Sequence, residues 1–304
     1  MHTFRHTPRH LVALVLTSAL LLTAGACSQE AEPEPEASTQ TVDDTITVQG
    51  TADEAPTLTY EKPYPYSEPT TEVIWKGEGT PVEADQPILL QVYAEDGDTG
   101  EVVRDDHVSV PAAYMVTEEE IGGQLYEALV GQNTGSRVRL VSHKDKQTLI
   151  TVVDIVSVTA AGEAREAEEG QPQVTYGDHG APTITIPKDT TAPTELHVQQ
   201  LRTGRRKQVQ ANAQVVLQVH AVAWSTGEVF ETTWGDGKKP TTVTVGTDEL
   251  IEGLDQTLVG VPVGSQLLIV VPPVLGFGAM EGNELAEETL VYVIDVLAAS
   301  DARE

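Results

Sequence analysis

The sequence predicts an α+β fold built from two tandem domains, each a twisted antiparallel β-sheet wrapped round one short α-helix. Three observations carry this. First, blocks of the chain return in a fixed order. Ala55-Pro56-Thr57-Leu58-Thr59-Tyr60 comes back as Ala181-Pro182-Thr183-Ile184-Thr185-Ile186, and Leu89-Leu90-Gln91-Val92 as Val216-Leu217-Gln218-Val219. Thr99 to Val103 mirrors Thr226 to Phe230, Leu125 to Gly131 mirrors Leu254 to Gly260, and Thr148 to Ile155 mirrors Thr289 to Val296. A repeat this long is a whole domain copied once, not a solenoid unit. Second, apolar residues alternate with a period of two, as in an antiparallel sheet with one buried face: Val215, Leu217, Val219, Ala221 and Ala223 share one side of a strand, and Leu290, Tyr292, Ile294 and Val296 one side of another. Third, the period changes locally. Leu250, Ile251, Leu254 and Leu258 fall at helical spacing, with Asp248, Glu252 and Asp255 turned to water.

Taken from the start, Met1 to Ala26 reads as a secretory signal, with Arg5 and Arg9 before an apolar run from Leu11 to Leu22. Ala24-Gly25-Ala26-Cys27 is similar to a bacterial lipobox, which makes Cys27 the expected lipidation site; the alternative is an ordinary signal with an incidental thiol. Cys27 is the only cysteine, so the chain holds no internal disulfide. Residues 27–45 are Glu, Pro, Ala, Ser and Asp with little to bury, and read as a disordered acidic tether. The first copy then spans 46–158, a linker rich in Ala, Gly and Glu spans 159–172, and the second copy spans 173–304. In the first copy a capping box, Thr117 with Glu120, marks where its helix begins. In the second, Gly260-Val261-Pro262-Val263-Gly264 stops the helix, and Leu267 to Val271 forms a strand that ends at Pro272-Pro273.

Composition excludes several function classes. The 304 residues include 47 acidic and 18 basic side chains, a net charge of -29, which repels nucleic acid. Arg202, Arg205, Arg206 and Lys207, around Gly204, read as a solvated hairpin tip. His107, His143, His179, His197 and His220 lack ligand spacing, so no metal is expected. Gly276-Phe277-Gly278 lacks the lysine of a phosphate loop. Asp154 and Asp295 occupy equivalent strand positions in the two copies, which assigns them to the fold and not to paired acid-base chemistry.

Between Val215 and Ala298 four motifs stand in order: Thr226 to Trp234, Leu250 to Gly264, Pro272 to Ala279, and Thr289 to Leu297. This succession resembles the FKBP-type peptidyl-prolyl cis-trans isomerases. The resemblance implies a proline cleft between helix and sheet. It puts Phe230 in the wall, with Glu231 where the family usually has aspartate, and Leu250 and Ile251 at the helix start, where the Ile251 N–H serves as donor to a peptide carbonyl. Leu254 takes the floor position usually held by tryptophan, Phe277 that of the flap tyrosine, and Tyr292 that of a phenylalanine. An early strand tyrosine falls at Val219 or Ala221, neither aromatic, and the usual flap tip reads Glu284-Leu285-Ala286. Activity below the family norm is expected from these departures.

The first copy departs further. Val103, Arg104, Gly122, Leu125 and Thr151 stand for Phe230, Glu231, Ile251, Leu254 and Tyr292, and Lys144 to Gln147 replaces the flap segment Pro273 to Glu288. No proline pocket is expected there; a spacer, docking or chaperone-like surface fits better. The whole resembles a bacterial, actinobacterial-like lipoprotein with two FKBP-like domains, the first degenerate. The implied function is isomerisation of proline-containing polypeptides to assist folding of extracytoplasmic proteins, without a cofactor, by a monomer held to the outer face of the cell membrane through lipid on Cys27. The alternative is a non-catalytic, peptide-binding or chaperone-like surface lipoprotein.

Overall fold

The computed structural model describes residues 46–166 and 168–302. The predicted signal segment, Cys27 and the tether lie outside the described residues. The chain opens with a hairpin of β1 (Ile46–Gln49) and β2 (Thr57–Tyr60). It continues through β3 (Thr70–Trp75), β4 (Pro87–Asp96), β5 (Val102–Asp105), β6 (Ala112–Met115), α1 (Glu118–Ile121), α2 (Gly123–Leu129), β7 (Arg137–Lys144) and β8 (Gln147–Val156). Strands β3-β7-β8-β4-β5 lie side by side in an antiparallel sheet, and β6 also pairs with β4.

After the short β9 (Glu163–Ala164) the succession repeats: a hairpin of β10 (Gln173–Tyr176) and β11 (Pro182–Thr185), then β12 (His197–Thr203), β13 (Gln214–Ala223), β14 (Val229–Thr232), β15 (Thr241–Thr244), α3 (Glu252–Leu258), β16 (Gln266–Val271) and β17 (Leu290–Ala299). The second sheet runs β14-β13-β17-β16-β12-β9, with β15 on β13. Apart from β9, its order is that of the first sheet, strand for strand. The central place falls to β17 because Leu290 to Ala299 is apolar on both sides save Asp295, and every residue of it is buried.

That burial corrects the expectation of a sheet with one solvated face. On the concave side, Leu217, Val219, Ile269, Tyr292 and Ile294 pack with Leu254 and Leu258 of α3. On the other side, Val222, Trp224, Leu268, Val270, Val291 and Val293 are covered by Ile184 and Val174 of the β10–β11 hairpin. The first copy does the same, with Ile46, Val48 and Leu58 over Tyr93, Val141, Ile150 and Val152. Each hairpin strand of four residues offers one apolar face, enough to cover a sheet but too little to reveal in sequence what it covers.

Two glycines fix the chain's exit from the strands they follow. A Cβ on Gly77 would sit 2.2 Å from the Thr134 carbonyl oxygen, and one on Gly204 2.2 Å from that of Val263. Their N–H groups donate to the Ser136 and Ser265 hydroxyls at 2.8 and 2.9 Å. The Gly204 segment is therefore a packed corner and not the expected hairpin tip, since β12 and β13 are not sheet neighbours. Its bases are ion-paired: Arg205 with Glu163 at 3.4 Å, Arg206 with Asp53, and Lys207 with Asp301 at 3.1 Å. The capping box is half formed. Thr117 Oγ1 accepts the Glu120 N–H at 3.3 Å, but the Glu120 carboxylate accepts the Met115 N–H at 2.7 Å.

A buried polar row crosses each sheet at the same register. In the first it is Trp75, Arg137, Asp154 and Gln91; in the second, Arg202, Gln266, Asp295 and Gln218. Arg137 grips Asp154 with two bonds of 2.6 and 2.7 Å and stacks on the Trp75 ring. At Asp295 the partners are neutral: Gln266 Nε2 donates at 2.6 Å and the Ala160 N–H of the connecting segment at 2.7 Å. Residues 46–302 lie within one compact unit. In it the two sheets meet through Leu89, Val216, Leu297 and Ala298, flanked by Val156 and Val158.

Candidate functional site: an apolar cluster under the second sheet

The cluster is organised by an irregularity in an edge strand. Ala221 of β13 pairs with Glu231, while its neighbour Val222 pairs with Val229, so Phe230 is the extra residue of a β-bulge. A bulge re-aims side chains. Here it lets Phe230 join the concave core although Glu231, next to it, stands opposite Ala221. Ala221 also pairs with Tyr292 on its other side. Cross-strand partners share a face, so Glu231 and Tyr292 flank a position that has only a methyl group. The missing strand aromatic thus falls at Ala221, not Val219, which pairs with Ile294.

The Phe230 and Tyr292 rings meet edge to face, with centroids 5.7 Å apart and planes at 87°, an arrangement that adds about 0.5–1.5 kcal/mol beyond area burial. Tyr292 at 1 % exposure and Leu254 at 5 % form the floor. Leu250, Phe230, Ile251 and Phe277 are half-buried and pack on the same cluster. Burial pushes the Tyr292 hydroxyl pKa up, with the nearby Glu231 charge adding to it, and burial pushes the Glu231 carboxyl up as well.

Ile251 stands at the N-cap of α3 in an extended conformation, φ -59° and ψ 147°. Its carbonyl accepts from the Leu254 and Asp255 N–H groups at 3.0 and 3.1 Å, whereas no described residue accepts from its own N–H. Asp255, expected to face water, is instead buried and holds this approach in place by accepting the Gly246 N–H at 2.6 Å and the Asp248 N–H at 3.0 Å. Gly253 lets the helix press on β16, for a Cβ there would lie 2.6 Å from Val271.

Residues 272–289 form the flap. A single helical turn, Pro273–Leu275, is followed by a bond from the Gly278 N–H to the Pro273 carbonyl at 2.8 Å. Leu275, Phe277 and Leu285 fold back onto the cluster. Tyr292 beneath them is fully covered by the chain's own atoms. Leu285, read from the sequence only as part of the flap tip, also packs on the cluster; a leucine within an otherwise acidic and small-residue segment was its signal.

The structure brings Phe230, Glu231, Leu250, Ile251, Leu254, Phe277 and Tyr292 to one side of one sheet. The equivalent region of the first copy is built differently. Val103, Arg104, Gly122, Leu125 and Thr151 line a cleft of about 580 Å³ together with Leu90 and Leu140. An apolar cleft exists there because no flap covers it. Its chemistry differs: Arg104 is clamped by Asp106 at 2.8 and 2.9 Å, and the Gly122 N–H donates to the Glu118 carbonyl at 3.0 Å. The donor that stays open at Ile251 is therefore used internally at Gly122.

An antiparallel sheet closed over a short helix, with aromatic and aliphatic side chains packed between them, is the architecture of the second copy. Residues 205–297 match the sequence model of the FKBP-type peptidyl-prolyl cis-trans isomerases. The chain is 32 % identical over 109 residues to an FK506-binding protein of Streptomyces anulatus, a match covering 35 % of this chain and 87 % of the relative. It is 28 % identical over 119 residues to a probable FK506-binding protein of Corynebacterium glutamicum, covering 39 % and 98 %. Among solved structures it is similar to FkpA from Escherichia coli at 19 % identity and a TM-score of 0.33, with 45 % of this chain and 54 % of that one covered. The chain thus spans about half the length of that structure. On the Streptomyces relative, the chain belongs to the FKBP-type family, whose members are peptidyl-prolyl cis-trans isomerases.

Proposed function

We propose that the second copy, residues 173–304, is an isomerase domain that speeds cis/trans exchange of prolyl bonds in extracytoplasmic polypeptides, at a rate below the family norm. The observation that carries this reading is the edge-to-face Phe230–Tyr292 pair beside the open Ile251 N–H. A prolyl amide exchanges over a barrier of about 18–20 kcal/mol because rotation breaks its resonance. The twisted amide is less polar than the planar one, so a water-poor cleft favours it, and a fixed donor on a flanking carbonyl orients the chain. Neither a nucleophile nor a metal enters this scheme. The reduced rate follows from Ala221, which leaves one wall without a ring, from Leu254, smaller than an indole, and from Phe277, which has no hydroxyl.

In the same reading, residues 1–26 are a lipoprotein signal, Cys27 carries the lipid, and 27–45 tether the folded part to the outer face of the membrane. The test is prolyl exchange by NMR on the full chain with an Ala-Leu-Pro-Phe peptide. Acceleration is expected, with Phe230→Ala lowering kcat/KM at least about tenfold, the equivalent of 1.4 kcal/mol of transition-state stabilisation. No acceleration over buffer sinks the reading.

A second reading has its own support. The unflapped apolar cleft of the first copy, residues 46–158, suits a surface that holds extended chains without turning them over. It predicts that aggregation of an unfolded client is suppressed equally well by wild type and by Phe230→Ala.

A further inference from the structure

Between the two copies lies a cavity of about 810 Å³, within the roughly 300–1,000 Å³ of small-ligand pockets. The second copy contributes its polar row, on the face of the sheet turned away from Tyr292, together with the aromatic side chains of Tyr176 and Trp234. The first contributes an apolar wall that includes Val82, Ile88 and Val158. Each side-chain oxygen of the row already accepts a bond. Asp295 receives the Gln266 amide on one oxygen and the Ala160 N–H on the other, at 2.6 and 2.7 Å; Gln266 Oε1 accepts from the Tyr176 hydroxyl, and Gln218 Oε1 from that of Thr233. What is left over is donors. Trp234 is 8 % exposed and its Nε1–H meets no acceptor among the described residues, whereas that of Trp75 in the first copy donates to the Gly135 carbonyl at 3.0 Å. Gln218 Nε2 likewise donates to no described residue. Of the Arg202 nitrogens only Nη1 does, to the Gly162 carbonyl at 3.3 Å.

A surplus of buried donors beside an apolar wall calls for a ligand that accepts hydrogen bonds without donating them, because a buried donor left unmade on either side costs its desolvation. An ordinary extended chain fails this requirement: each of its carbonyls comes with an N–H, and every oxygen of the row is engaged. Proline has no N–H. In a polyproline II helix its carbonyls are unpaired within the chain and its rings present apolar surface. Such helices dock on aromatic side chains, of which this cavity has two. The exposed Glu83, Asp178 and Asp236 on the same lining disfavour acidic flanks. We propose that the cavity between the copies binds uncharged proline-rich segments in the polyproline II form, with the Trp234 indole N–H and the Gln218 amide donating to prolyl carbonyls. This site is separate from the one assigned to isomerisation and requires no turnover.

The test is titration of the full chain with acetyl-hexaproline-amide, followed by proton–nitrogen correlation NMR of the three tryptophan indoles, the Trp234 signal being identified by its loss in Trp234→Phe. That signal should move downfield to saturation as the indole N–H gains an acceptor, while those of Trp75 and Trp224 stay in place. In fluorescence anisotropy with the labelled peptide, Trp234→Phe, which keeps a ring without a donor, should weaken binding about fivefold, the loss of one hydrogen bond. Thr80→Trp, at an exposed position of the first copy's wall, should obstruct the cavity and weaken binding at least as much. Phe230→Ala should bind as wild type does, and a glycine-serine peptide of the same length about tenfold more weakly. An unmoved Trp234 signal overturns the site, as does affinity that is lost in Phe230→Ala but kept in Trp234→Phe and Thr80→Trp. Equal affinity for the glycine-serine peptide overturns the choice of ligand. Prolyl exchange by Trp234→Phe should match wild type, so that failure here and failure of the isomerase reading show separately.

Discussion

At the scale of single residues, the two polar rows show how one register position was solved twice. Asp154 meets a guanidinium, so its charge is neutralised at contact distance. Asp295 meets an amide and a peptide N–H. Burial pushes its carboxyl up to about 6, against the pull of the Ala160 and Gln266 bonds and of the Arg202 charge. An acid whose folded pKa lies above its unfolded one binds its proton more tightly in the folded state. Its stabilising contribution is full below about pH 4 and is lost as pH rises through about 6. Chemical denaturation of wild type against Asp295→Asn should therefore show wild type losing up to about 3 kcal/mol relative to the variant between pH 4 and 7. A constant difference across that range would mean that Asp295 does not titrate there. The equivalence of Asp154 and Asp295 could be read from the repeat. The partner at each could not, because Arg137 and Gln266 lie on another strand whose register is set by pairing.

At the scale of elements, the two corners after β3 and β12 make a matched experiment. Gly77 and Gly204 each run within contact of a carbonyl, and backbone cannot move aside as a flexible side chain can. Gly77→Ala and Gly204→Ala should each destabilise by about 1–3 kcal/mol, seen as a drop in denaturation midpoint with unchanged slope. Midpoints within error of wild type would show that the corner relaxes freely. The bulge at Phe230 belongs to the same scale. Alternation in the sequence placed β13 and β17 and chose the faces they turn to the helix, but a period-two reading cannot show that Phe230 and Glu231 stand on one side of the sheet. That follows from pairing two residues of β14 against one of β13. The helix start was legible, since Leu250, Ile251, Leu254 and Leu258 are the cluster residues its spacing picked out.

At the scale of the molecule, the sheets meet through Leu89 and Val216, both without solvent exposure. Burying each such side chain is worth about 1.5–3 kcal/mol. Glu120 with Lys239 and Asp53 with Arg206 add ion pairs at the rim, worth about 0–1 kcal/mol each. Beside this seam, Arg202, Gln218, Gln266 and Asp295 line a cavity of about 810 Å³. Val216→Asp buries an uncompensated charge at the seam. Calorimetry should then resolve two transitions where wild type gives one. A single transition shifted as a whole would mean that the copies unfold together for a reason other than this contact.

The sequence alone determined the repeated order of strands, the faces they turn to the helix, the place of the short helix and the aromatic and aliphatic residues that gather at its start. These are local properties: periodicity and turn chemistry act over a few neighbouring residues. Only the tertiary structure decided that a hairpin covers the back of each sheet, that Ala221 is the residue between Glu231 and Tyr292, that the first copy keeps an open cleft, and that the Ile251 N–H meets no acceptor among the described residues where the Gly122 N–H is bound. Each of those depends on which distant segment arrives as a neighbour, and burial and hydrogen bonding across such distances are settled by packing.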